Sequence, residues 1–183
     1  MEIELTPNFR EAFPDGLFGI LIVRNCPNRV RATAIGPAQR AVETRLREAF
    51  PGDAIESDPV ARAYAAYFRR YGARYPAVHQ ARTIIAGKAI ESPSALVGVM
   101  FTAEVDSLVL TSGHDLDALA GPLRVDVARA GDVYIRLSGK EQALKPGDMV
   151  VRDVEGIIAS VLYGPDLRTR LRAETSAALF GAW

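Results

Sequence analysis

The chain has 183 residues and a mass of 19.8 kDa, a size that suits one domain and is too small for two full-sized hydrophobic cores. It contains 22 basic and 22 acidic residues, so the formal net charge is zero and no overall field attracts nucleic acid. A single cysteine, Cys26, excludes an internal disulfide. With only two histidines, His79 and His114, the chain also excludes a zinc finger or a multi-histidine metal cage.

The charges are unevenly spread along the chain. Between Arg24 and Arg82 there are eleven arginines and five acidic residues, whereas between Phe101 and Trp183 there are nine basic and twelve acidic residues. The first segment therefore predicts a basic face. The chain has 19 arginines and only 3 lysines. This bias is compatible with a nucleic-acid surface, although genomic base composition is the more common cause of such a bias.

The N-terminus has no targeting signature. It carries acidic residues where a signal peptide has a basic region, and no apolar run approaches the roughly 20 residues that a membrane span needs. We expect a protein of the reducing cytoplasm with no membrane contact.

Hydrophobic periodicity predicts two strands, then four helices, then a half that is rich in strands. The predicted elements of the first half are strands 2–5 and 17–23 and helices 37–50, 59–71, 76–86 and 92–105. Those of the second half are strands 107–110, 124–128, 133–137, 148–152 and 156–163. Because helices and strands come in separate blocks, we predict an α+β fold with helices packed on a mostly antiparallel or mixed sheet.

The clearest helix begins after Asp58, with Pro59 at its first position. Its apolar and aromatic residues fall on one stripe, which predicts a core face rather than a platform for stacking bases. Four arginines lie off that stripe or just beyond the helix: Arg62, Arg69, Arg70 and Arg74. We interpret these four as a surface for nucleic-acid phosphates.

Signatures of common nucleotide, redox and metal sites are absent. There is no Walker loop, no GxGxxG, no GxSxG, no CxxC and no HExxH. We therefore expect neither a cofactor nor a metal ion.

The densest polar group is the run 111–117, where a predicted strand ends. It contains Thr111, Ser112, His114 and Asp115, and a histidine beside carboxylates can act as a general base. The alternative is structural, with Asp115 capping a short helix at 116–120 and His114 in a turn.

A second polar group follows the strand predicted at 156–163. Tyr163, Asp166 and Arg168 lie close together there, and guanidinium and hydroxyl donors suit a phosphate or another polar substrate. A plain Gly-Pro-Asp turn with a solvated arginine explains the same composition.

From Phe68 to Phe180 the residues follow the order of a known domain. The stretches that carry the match are Phe68-Arg69-Arg70-Tyr71-Gly72, Tyr75-Pro76, Ser92-Pro93-Ser94, Asp115-Leu116-Asp117-Ala118-Leu119-Ala120-Gly121, Pro146-Gly147-Asp148 and the run from Asp153 to Ile158. The pattern resembles the B3/B4 domain of the bacterial phenylalanyl-tRNA synthetase β subunit in a free-standing form. That resemblance implies an α+β fold that binds tRNA and hydrolyses tyrosine wrongly attached to it.

The chain departs from the family pattern at the pocket. The Thr-Asn pair of the family falls on Met100 and Phe101, its histidine falls on Ser112, and its Ala-Gly pair falls on Ala159 and Ser160. The family's glutamate falls near Leu179. Recognition of a tyrosine hydroxyl is therefore not carried over.

The resemblance implies a core at 57–183 with residues 1–56 as a strand and helix extension of the same domain. We predict binding of tRNA or an aminoacyl-tRNA end, with hydrolysis of a misattached amino acid as a further step. The pocket residues would be His114 and Asp115 as the catalytic pair, with Thr111, Ser112, Ser160, Tyr163, Asp166 and Arg168 binding the substrate.

Two other functions remain open. A small-molecule ligand, bound or hydrolysed without RNA, fits the zero net charge and the acidic second half. An interaction module that presents its arginines to an acidic partner is the other, and it predicts no concave pocket. The RNA hypothesis instead requires the arginines of residues 24–82 to converge on the rim of the pocket.

Overall fold

The computed structural model describes residues 1–28, 33–51 and 54–183. These residues belong to two compact units. The first, which we call the β unit, combines Met1–Cys26 with Ser112–Trp183, and the second, the helical unit, is Pro27–Thr111. The boundary predicted at residue 56 therefore lies inside the helical unit.

Helices and strands occupy separate parts of the sequence. The α-helices described are α1 (Pro7–Ala12), α2 (Gly36–Ala49), α3 (Pro59–Arg70), α4 (Pro76–Ile85) and α5 (Ala95–Ser107). The strands are β1 (Ile3–Leu5), β2 (Gly19–Val23), β3 (Thr111–Asp115), β4 (Leu123–Val127), β5 (Val133–Ile135), β6 (Glu141–Ala143), β7 (Met149–Arg152), β8 (Ile157–Ser160), β9 (Gly164–Pro165) and β10 (Ala178–Ala182). The predicted α+β class is confirmed.

The β unit contains a five-stranded mixed sheet in the order β1-β4-β7-β8-β9. β1 runs parallel to β4, and the other neighbours are antiparallel. β2, β10 and β3 form a three-stranded sheet in that order, and β5 and β6 form a hairpin. Phe9 of α1 packs into the core of this unit with buried Val125 and Ile158.

The helical unit is built from helices that bury one stripe each. Val42 and Leu46 of α2 pack against Ile84 and Val105. In α3 the Asp58 carboxylate accepts hydrogen bonds from the amides of Val60 and Ala61, and Pro59 occupies the first turn, as predicted.

The aromatic stripe of α3 is buried, which confirms its prediction as core. Tyr64, Tyr67 and Phe68 are 8%, 6% and 1% exposed, and Tyr64 stacks on Tyr75 with ring centroids 4.8 Å apart. The opposite side of α3 is exposed and carries Arg62 and Arg69.

The strand predicted at 107–110 is wrong. Helix α5 continues to Ser107, and Leu108 then adopts a left-handed conformation with φ 57° that ends the helix. Two tyrosines hold the following turn, because the Tyr75 hydroxyl donates to the Leu108 carbonyl and the Tyr64 hydroxyl accepts from the Leu110 amide at 3.2 Å. The strand β3 starts only at Thr111, so the polar run 111–115 is itself a strand.

Other elements begin or end at residues different from those predicted, and some were not predicted at all. The helix predicted at 116–120 is a 3₁₀ turn, Leu116–Ala118, and α1, β6 and β10 were not predicted. Among the described residues, none of the helices combines the length and the hydrophobicity that crossing a bilayer requires.

Candidate functional site

Helices α3 and α4 of the helical unit enclose a groove of about 810 Å³. We call it the arginine groove, since its lining includes Arg62, Arg69, Arg74 and Arg82. Its other lining residues are Glu56, Ala61, Ala65, Ala66, Ala73, Tyr75, Pro76, Val78 and His79. The groove argues against an interaction module without a concave pocket.

Helical spacing brings these side chains to one place. Arg62 and Arg69 are seven residues apart on α3, which is close to two full turns, so they lie on one face. Arg74 follows Gly72, whose φ of 68° allows the chain to turn after the helix. His79 and Arg82 occupy positions i and i+3 of α4. Alanines leave space between the two helices.

The groove is positively charged. Arg62, Arg69 and Arg74 are exposed, and none of them forms an ion pair with a residue that the structure describes. Arg82 pairs with Glu56 at 2.5 Å. Among the described residues of the lining, Glu56 is the one acid, so the groove carries a net positive charge suited to an anion.

Of the four arginines predicted to contact phosphates, the structure brings three together. Arg62, Arg69 and Arg74 line the groove, whereas Arg70 is exposed on α3 and is absent from its lining. Arg82 was not predicted as a site residue, although its spacing from His79 on a helix could have indicated it.

His114 lies in the interior of the β unit. It is 1% exposed, and its Nδ1 is 2.7 Å from the Thr169 hydroxyl oxygen. Thr169 donates its single hydroxyl hydrogen to Oδ1 of Asp166, so its oxygen accepts from Nδ1–H of His114. The Nε2 atom of His114 therefore carries a lone pair, and it has no hydrogen-bond partner in the described part of the chain.

Burial keeps His114 neutral. It lowers the pKa of the imidazole to about 4, with Arg168 acting in the same direction and Asp153 against it. Burial also raises the pKa of Asp166, while the hydroxyl and amide of Thr169 oppose that rise. At neutral pH the imidazole is thus an acceptor at Nε2, as a general base requires.

Asp115 is engaged in local structure. Its carboxylate caps the 3₁₀ turn by accepting from the Asp117 amide at 3.1 Å, and it accepts from the Thr175 hydroxyl at 2.7 Å. Neighbouring residues of a strand point to opposite faces, so Thr169 and not Asp115 orients His114. A catalytic role for Asp115 stays a prediction.

Arg168 forms an ion pair with the buried Asp153 through one guanidinium nitrogen. One guanidinium nitrogen lies 2.8 Å from both carboxylate oxygens, and another donates to the Ala118 carbonyl at 2.9 Å. Asp153 in turn accepts from the amides of Ala120, Glu155 and Gly156. Arg168 therefore links the turn after β9 to the loop after β7, and its contact with a substrate stays a prediction.

The remaining predicted pocket residues form hydrogen bonds with different partners. The Ser160 hydroxyl donates to buried Asp148 and accepts from the Tyr163 amide at 3.2 Å. In the helical unit, the amide and hydroxyl of Thr111 donate to Glu104 at 2.9 and 3.1 Å.

Ser112 lies on the same face of β3 as His114, two residues away. It is 3% exposed, and its hydroxyl has no partner among the described residues. Within those residues no group of three or more His, Cys, Asp or Glu side chains could hold a metal ion.

Comparison with known proteins supports the predicted resemblance. No family model matches the chain. A curated relative, the phenylalanine–tRNA ligase β subunit of Mycoplasma genitalium, is 33% identical over 67 residues, which cover 37% of this chain and 8% of that protein. The chain is similar to this β subunit, as predicted.

Among solved structures, the chain resembles an N-terminal fragment of the phenylalanyl-tRNA synthetase β subunit from Pyrococcus horikoshii. The TM-score is 0.44 and the identity 15%, and the match covers 51% of this chain and 35% of that chain. The two similarities thus span small shares of larger proteins.

Proposed function

We propose that the chain binds RNA through its arginine groove, with tRNA or an aminoacyl-tRNA end as the ligand. One observation carries this proposal: Arg62, Arg69, Arg74 and Arg82 converge on one groove in a chain of zero net charge. Guanidinium groups bind phosphate through paired hydrogen bonds and stay charged at any physiological pH. Three of these arginines have no ion-pair partner among the described residues, whereas Arg82 pairs with Glu56.

The choice of tRNA rests on the sequence similarity to a tRNA ligase subunit. The similarity covers 37% of the chain, so it supports a ligand class rather than the reaction of the whole synthetase. Four of the eleven arginines between Arg24 and Arg82 line the groove, whose lining includes none of the residues predicted for the substrate pocket.

A hydrolytic step is the finer part of this proposal. An aminoacyl ester is already activated, so a positioned water can attack its carbonyl carbon without an enzyme nucleophile. His114 Nε2 would accept a proton from that water as the water oxygen bonds to the carbonyl carbon, and the proton would pass to the ribose oxygen as the ester C–O bond breaks. His114 is 1% exposed, so this step requires the strand face to open.

Binding to labelled tRNA tests the groove. We expect the double substitution Arg62→Glu/Arg69→Glu to weaken binding at least about tenfold, because it replaces two attractions by two repulsions. Arg40→Glu/Arg70→Glu is the matched control, since both arginines are exposed, belong to the same unit and lie outside the groove. Equal affinities of the double variant and the control would refute the proposal.

A second candidate function is binding of a small polar ligand in the β unit. The specific observation is that Ser112 Oγ and His114 Nε2 are buried on one strand face, without partners among the described residues. Calorimetric titration with free amino acids tests this function. His114→Ala should abolish any binding, and because the side chain is 1% exposed, circular dichroism verifies that the variant folds.

A further inference from the structure

The strand β2 forms an open edge of the three-stranded sheet. It pairs with β10 on one side, and no backbone hydrogen bond joins its other side to a described residue. Ile20, Leu21 and Ile22 are 39%, 60% and 37% exposed. Since successive side chains of a strand point to opposite faces, both faces are apolar and accessible at this edge.

This edge lacks the features that normally prevent pairing between molecules. Proteins protect edge strands with charged residues, prolines, bulges or very short strands. From Gly16 to Val23 the sequence has neither a charge nor a proline, and the register with β10 is regular. By contrast, β1 at the edge of the larger sheet has three residues, and its Glu4 pairs with Arg124 at 3.1 Å.

We propose that β2 pairs in antiparallel orientation with β2 of a second copy of the chain. The two three-stranded sheets would then form one continuous six-stranded sheet around a twofold axis. Pairing would satisfy the open backbone groups and cover the side chains of Ile20, Leu21 and Ile22.

The charges that flank the strand select the antiparallel orientation. Asp15 precedes the apolar run and Arg24 follows it. Both are exposed, and neither has an ion-pair partner in the described residues. In an antiparallel pair, Arg24 of one copy lies at the same end as Asp15 of the other, and symmetry repeats the contact. A parallel pair would instead bring like charges together, which is unfavourable.

The dimer goes beyond the proposed function and does not depend on it. β2 belongs to the β unit, whereas the arginine groove belongs to the helical unit. Loss of dimerisation and loss of RNA binding are therefore measured with different variants.

Sedimentation velocity of the full chain, from about 1 to about 100 µM, tests the proposal. We expect a dimer whose dissociation constant rises at least about tenfold in Leu21→Lys, because symmetry brings like charges together at a buried edge. Leu137→Lys is the control, since Leu137 is 51% exposed and belongs to the turn between β5 and β6. Circular dichroism verifies that both variants fold.

A charge exchange tests the orientation. Asp15→Arg should weaken the dimer, and Asp15→Arg combined with Arg24→Asp should restore it. A wild-type chain that stays monomeric at every concentration would overturn the proposal. Equal dimerisation of Leu21→Lys and Leu137→Lys, or failure of the double exchange to restore association, would do the same.

Discussion

The buried imidazole of His114 makes stability depend on pH. Its pKa is about 4 in the folded chain and about 6.5 in an unfolded chain, so the unfolded chain binds more protons between these values. Stability therefore rises with pH across this window and is lost as pH falls through it. The contribution is about 3 kcal/mol.

We expect the free energy of unfolding to show this dependence in the wild type and to lose it in His114→Gln. The measurement is urea unfolding at pH 7 and pH 4.5, with the difference between the two proteins isolating the histidine from other titrating groups. The same pH dependence in both proteins would show that His114 is not the buried neutral group described above.

Arg168 illustrates how a candidate substrate ligand can be a structural residue. Its guanidinium lies 2.8 Å from both oxygens of Asp153, a carboxylate whose side chain is fully buried. Lysine has a single side-chain nitrogen and cannot reproduce the planar group that contacts Asp153 with one nitrogen and the Ala118 carbonyl with another, so part of this network would be lost.

Arg168→Lys should therefore lower the free energy of unfolding by about 1–3 kcal/mol while leaving tRNA affinity unchanged. Urea unfolding and tRNA titration of the same preparation measure both quantities. Unchanged stability together with weaker ligand binding would assign Arg168 to a substrate instead, as the sequence suggested.

The two sides of helix α3 have different roles, one in the hydrophobic core and the other in the arginine groove. One side buries Tyr64, Tyr67 and Phe68 in the core, and the other turns Arg62 and Arg69 toward α4. Arg70 is exposed next to Arg69 but does not line the groove. Because Arg69 and Arg70 are adjacent and carry the same charge, replacing each in turn tests the effect of position without a difference in net charge.

Arg69→Glu should weaken tRNA binding about tenfold, whereas Arg70→Glu should weaken it clearly less, because only Arg69 faces the enclosed volume. Both changes alter the net charge equally, so a general electrostatic effect would reduce affinity to the same degree in both variants. That second outcome would place the interface outside the groove. Fluorescence anisotropy with labelled tRNA distinguishes the two.

Across the whole chain, the sequence predicts elements whose signals are local. Asp58 and Pro59 mark the start of α3, and its stripe of aromatic residues marks the core face. The end of α5 was missed because a left-handed Leu108 and hydrogen bonds with two tyrosines determine it, and these hydrogen bonds join residues far apart in sequence.

The same distinction between local signals and contacts distant in sequence applies to the candidate sites. Of the predicted cluster of Arg62, Arg69, Arg70 and Arg74, three line the groove, since helical spacing alone brings Arg62 and Arg69 to one face and leaves Arg70 off it. The partners of His114 were not predictable, because Thr169 lies 55 residues away and reaches it only through tertiary structure. Asp115, which is adjacent to His114 in the sequence, points to the opposite face of the strand.

The central claim is that phosphates bind the arginine groove, and the salt dependence of tRNA affinity tests it most directly. Each phosphate neutralised contributes about −0.7 to −0.9 to the slope of log affinity against log salt concentration. With three arginines that have no ion-pair partner among the described residues, we predict a wild-type slope of about −2 or steeper. In Arg62→Glu/Arg69→Glu the slope should be shallower by about 1 or more. Absence of tRNA binding at low salt, or equal slopes in the wild type and the variant, would contradict the account.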